Sequence, residues 1–98
     1  MAKWIKTTGA TLEVAPKGEI FTLEELQGFV GGFIEAVPLS DGTVMWLNEE
    51  GKLNGLPVNV KADGIAHRMS GIALWDRVVG DVLIASLEET EEDEEEEE

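Results

Sequence analysis

Residues 21–59 read FTLEELQGFVGGFIEAVPLSDGTVMWLNEEGKLNGLPVN, and the order of apolar, polar and glycine positions in this stretch decides the fold. Thr22 and Glu25 stand at the spacing of a capping box, in which the threonine hydroxyl accepts the Glu25 backbone N–H while the Glu25 carboxylate accepts the Thr22 amide. Phe21 before the cap and Leu26 at the fourth helical position form the matching hydrophobic staple. Glu24 and Glu25 lie where the helix dipole favours anions. Leu23, Leu26, Phe29 and Val30 recur at one-turn spacing, and Gly31 offers a left-handed closing residue, so a helix is predicted over 23–30. Gly28 inside it costs about 1 kcal/mol relative to Ala. So short a helix is stable only when laid on a sheet.

The sheet follows directly. Residues 33–39 and 43–48 are apolar and β-branched runs separated by Ser40, Asp41 and Gly42, the pattern of a hairpin. Val44, Met45, Trp46 and Leu47 are apolar without a break, which predicts cover on both faces of the second strand. Glu35 interrupts the first run, either as a solvated outward residue or as a carboxylate lining a cleft.

Outward from this stretch, Lys3 to Thr8 and Thr11 to Ala15 read as two short strands around Gly9 and Ala10, with Trp4 and Ile5 on opposite faces. Asn59 is a candidate N-cap for a second helix reaching about Met69. Gly64 weakens its regularity and Gly71 offers a stop. Ile72 to Val79 fits a strand or a helical turn equally, and Val82 to Ser86 is a last strand. The chain thus reads as one small α+β domain over 1–87, in the order β-β-α-β-β-α-β, with an antiparallel or mixed sheet and two helices.

The net charge of −14 is unevenly placed. Ten of the 21 acidic residues lie in 88–98, leaving 11 acidic against seven basic residues in 1–87. The run at the end repels itself and buries nothing apolar, so 88–98 is expected to be a disordered acidic tail. Cysteine is absent, which suits a reducing compartment and leaves no thiolate metal site. The first ten residues lack the apolar run of a signal peptide, and nothing approaches the roughly 20 apolar residues of a membrane span. A cytoplasmic protein with no membrane association is expected.

The blocks LEELQ, VGGFIEAVPL, NEEGKLNGLPVN and VVGDVLIAS, in that order, resemble a small family of uncharacterised proteins of bacteriophages, plasmids and the bacterial genomes that carry them. The likeness covers residues 19–86. It implies a setting rather than an activity, namely a mobile-element protein working inside a bacterial host cell.

Catalysis is not expected. His67 is the single histidine, no hydroxyl residue sits in a hydrolase motif, and no phosphate-binding glycine turn follows a strand. Gly31 and Gly32 end a helix, the reverse of what such a turn needs. No cofactor or metal is expected, because Glu49 and Glu50 lack the pattern of a calcium loop.

Two binding mechanisms compete. In the first, a nucleotide-type ligand, such as a signal made by bacterial immunity, is sequestered by Asn48, Lys52 and Asn59 with Lys61 and Arg68 from the second helix. Amides would read base edges while cations hold phosphate. In the second, the Glu-rich tail mimics the phosphate ladder of DNA and inhibits a host nucleic-acid-binding protein. Direct DNA binding is disfavoured by the same charge. Three tryptophans are many for a core of this size, and one at a homo-oligomer interface is the companion possibility.

Overall fold

The last strand in sequence occupies the middle of the sheet. The computed structural model describes residues 2–90, with elements β1 (Ala2–Ile5), β2 (Thr11–Val14), α1 (Leu23–Val30), β3 (Ile34–Pro38), β4 (Thr43–Asn48), α2 (Val60–Arg68), β5 (Val82–Ser86) and α3 (Leu87–Thr90). The five strands lie in the order β2-β1-β5-β4-β3, and every pairing is antiparallel. Val82, Leu83, Ile84 and Ala85 are apolar on both sides of the pleat, which suits the centre. The edges fall to β2, largely exposed, and to β3, which carries Glu35 and Pro38. Such residues are tolerated at an edge, where no further strand needs their backbone.

Two apolar layers sandwich the sheet. On one face Ile5, Val37, Met45 and Val82 pack with Ala62 and Ala66 of α2. On the other, Ala2, Leu83 and Ala85 pack with Phe21 and with Leu26 of α1. β4 serves both layers, Met45 in the first and Trp46 in the second, as its unbroken apolar run predicts.

α1 keeps its predicted limits because its ends are built locally. Thr22 Oγ1 accepts the Glu25 amide at 3.1 Å, and Glu25 Oε1 accepts the Thr22 amide at 2.9 Å. Gly31 closes the helix at φ 82°, a left-handed conformation that glycine adopts without penalty. Phe21 and Leu26, the staple pair, are both fully buried, each worth roughly 1.5–3 kcal/mol. The ring of Phe29 packs edge-to-face with those of Trp4 and Phe21 at centroid distances of 5.1 and 5.9 Å, and its carbonyl accepts the Trp4 indole N–H at 3.1 Å.

Three expectations change. β1 ends at Ile5 rather than Thr8, because the chain turns at once: the Lys6 amide donates to the Ala10 carbonyl and the Gly9 amide to that of Lys6. Residues 72–79 are neither strand nor helix, and their one β-bridge joins Val79 to Val58. Residues 87–90, expected to begin a disordered tail from Glu88, form the short helix α3. The Glu89 carbonyl accepts the Phe21 amide at 2.8 Å, and Thr90 is buried. The rest of the expected tail, 91–98, lies outside the described residues.

Candidate functional site

The turn after β4 and the run before β5 are pinned to the sheet by two asparagines. Asn48 Oδ1 accepts the Glu50 amide at 2.8 Å, starting a tight turn, while its Nδ2 donates to the Val30 carbonyl at the end of α1. Asn59 is wholly enclosed. Its Oδ1 accepts the Ala62 amide at 3.1 Å and caps α2, while its Nδ2 donates to the carbonyls of Ile5 at 3.0 Å and Gly80 at 2.9 Å. Its backbone amide donates to Val78. α2, the end of β1 and the approach to β5 are thereby held at one point.

With both segments fixed, a cleft of about 250 Å³ opens between the β3–β4 face and residues 72–79. Its apolar wall includes Val37, Leu47, Ile72 and Val78, and its rim carries Glu35, Glu49, Lys52, Asp76 and Arg77. A chain of polar contacts runs behind that rim. Asp63 of α2 accepts the Val78 amide at 2.9 Å and lies 3.6 Å from His67 Nε2 and 3.7 Å from Arg77 Nε. His67 Nε2 is 2.9 Å from the Asp76 carbonyl, which can only accept, so this nitrogen carries the proton. Lys52 reaches across from the β4 turn to pair with Asp76. The Lys52 side chain, and after it the Arg77 amide, hold the Asp76 carboxyl below the usual aspartate range.

These contacts link the turn after β4, α2 and residues 76–78. Among the described residues, no three His, Cys, Asp or Glu side chains converge to hold a metal ion.

Of the five residues singled out from the sequence, Asn48 and Lys52 line this cleft, and Asn59, Lys61 and Arg68 do not. Asn48 and Asn59 are buried, and their side-chain amides are bonded to the fold. Lys52 does line the cleft, paired with Asp76. Lys61 points to the opposite edge of the sheet from the cleft, its Nζ donating to Thr11 Oγ1 of β2 at 2.6 Å. Arg68 is exposed, with its guanidinium over Gly64 and no polar partner among the described residues. Glu35 is exposed and stands at the rim of the cleft, so it fits both of its readings. Sequence reasoning passed over Asp63, Asp76 and Arg77. The available signal was the sequence ALWDR at 73–77, where three apolar residues of no fixed period run into an opposite-charge pair.

The three tryptophans also separate. Trp4 and Trp46 pack against the α1 layer, whereas Trp75 is 85% exposed and its neighbour Leu74 is 87% exposed. On the turn joined to them through Lys52 and Asp76, Leu53 is 84% exposed.

Taken together, the fold and cleft define a small α+β domain with helices on both faces of an antiparallel sheet and a partly charged opening beside an exposed apolar lip. Residues 6–97 match the family described as a domain of unknown function (DUF3846), and the chain belongs to that family. Neither the curated proteins nor the solved structures contain a match to it. Among the described residues, no helix is long and apolar enough to cross a membrane.

Proposed function

We propose that this is a non-catalytic binding protein of a mobile genetic element, acting inside the bacterial cell by engaging a host protein through the cleft and its apolar lip. The observation that carries this reading is the exposure of Trp75 and Leu74 side by side on one loop. Isolated exposed apolar residues are ordinary, but a large aromatic ring beside an aliphatic one, next to a rimmed cleft, is the composition of an interface anchor. The setting rests on the likeness of the sequence blocks to phage and plasmid proteins.

A protein partner fits this surface better than a nucleotide does. Both amides assigned to base recognition are consumed by the fold, Lys52 is paired, and Lys61 lies away from the cleft. At about 250 Å³ the cleft also falls below the roughly 300–1,000 Å³ of typical small-ligand pockets.

The test places a photo-crosslinking amino acid at position 74 of the full chain, expressed in a bacterial host. One discrete host protein is expected to be captured, and Trp75→Ala, with an unchanged melting temperature, is expected to abolish that capture. Equal capture by the folded variant rejects the reading. A marked rise in melting temperature with a cyclic or linear nucleotide would reinstate the small-ligand alternative.

A further inference from the structure

Building on the protein-partner reading, we infer that the cleft receives a cationic side chain, arginine or lysine, from a basic segment of that partner. The rim carries charges of both signs, but they are not equally available. Lys52 is taken by Asp76, and Arg77 lies within ion-pair distance of Asp63. Glu35 and Glu49 are exposed and have no polar side-chain partner among the described residues. The charge left open at the mouth is therefore negative.

Register brings these two carboxylates to the same opening. Glu35 stands opposite Leu47 in the β3–β4 pair, and the Glu49 amide donates to the Phe33 carbonyl at 2.8 Å, two residues further along each strand. Residues so placed are diagonal neighbours on one face, about 7–8 Å apart, a span that one ammonium or guanidinium group can bridge. Behind them the wall is apolar, with Val37 and Val78 buried and Leu47 and Ile72 partly so. A flexible aliphatic stem with a charged head satisfies both parts, its methylenes on the wall and its cation between the carboxylates. The net charge of −14 adds long-range attraction for any basic partner and repels an acidic one.

The probe is a blocked tripeptide with a central arginine, titrated into the full isotope-labelled chain and followed by amide NMR. The same tripeptide with glutamine in the centre is the control. Saturable shifts are expected at residues 35, 47–49 and 76–79 with the arginine peptide alone. Glu35→Gln with Glu49→Gln should weaken them by about fivefold per carboxylate removed, the upper range for an exposed ion pair. Shifts confined to residues outside the cleft, or cleft shifts that the double variant leaves unchanged, overturn the inference. Failure here is distinct from failure of the partner reading: if the crosslinked host protein still depends on Trp75 but ignores the double variant, the partner binds the lip without filling the cleft.

Discussion

Asn59 Nδ2 donates to the Ile5 carbonyl 3.0 Å away, joining positions 54 residues apart in the chain. The same nitrogen donates to Gly80, and the oxygen of the same amide caps α2, so one enclosed side chain fixes three segments whose relative placement creates the cleft.

Replacing Asn59 with Ala should therefore cost more than an ordinary cap. A lost cap is worth about 1 kcal/mol, and each buried carbonyl left without a donor adds roughly 1–3 kcal/mol. Asn59→Asp keeps the capping oxygen but turns an acceptor toward two carbonyls. Urea unfolding is expected to show a loss of about 3 kcal/mol or more for each variant. A loss near 1 kcal/mol for Asp would mean that the two carbonyl contacts contribute little.

Acid should weaken the fold through carboxylates that are better solvated by protein than by water. Glu25 is held below its usual range first by the Thr22 amide, and Asp41 first by the Thr43 hydroxyl. Asp76 is lowered by Lys52. Because each folded-state value is depressed, the stabilisation is fully present above the unfolded values of about 3.9 for Asp and 4.3 for Glu. It disappears as pH falls through the lower folded values. Denaturant midpoints measured from pH 7 down to pH 3 should drop below about pH 5, and Glu25→Gln should flatten part of that slope.

The tryptophans should divide sharply. Trp75→Ala is expected to change stability by less than about 0.5 kcal/mol, and Trp75 should be the indole most accessible to acrylamide quenching. Trp4→Ala removes both a ring packed on Phe29 and a hydrogen bond to its carbonyl. Thermal unfolding should show a loss of about 3 kcal/mol or more.

Asp63→Asn should matter more than Asp76→Asn. Asp63 is the better shielded of the two and accepts the Val78 amide while facing both His67 and Arg77. Its neutralisation is expected to cost about 1–2 kcal/mol, against less than 1 kcal/mol for the exposed pair of Asp76 with Lys52. A double-mutant cycle with Arg77→Ala checks whether that ion pair contributes.

The boundary at the end of the domain is equally testable. Ending the chain after Thr90 should leave the melting temperature intact. Ending it after Ser86 removes the carbonyl that accepts the Phe21 amide and uncovers the layer that Thr90 helps close, and several degrees should be lost.

α1, β4 and β5 have the limits that their residues predict, because capping, staple and pleat alternation are decided within one or two turns of chain. The hairpin at Ser40 to Gly42 was legible for the same reason, and Asp41 reinforces it by accepting both the amide and the hydroxyl of Thr43. Asn59 was readable as a helix cap, yet its second role was not, since Ile5 and Gly80 are brought to it only by the closed sheet. Ile72 to Val79 had no period to read. Its path is imposed from outside, by Val58, Asp63 and Lys52.

From the residues alone came the class of the domain, its five strands and first two helices, and the concentration of acid beyond its last strand, because each depends on neighbours in sequence and on composition. Three-dimensional closure alone decided that β5 lies between β1 and β4, that two asparagines belong to the framework, and that Glu35, Glu49 and the Trp75 loop frame one opening. Those relations depend on which distant segments meet when both faces of the sheet are covered, and no local spacing encodes that meeting.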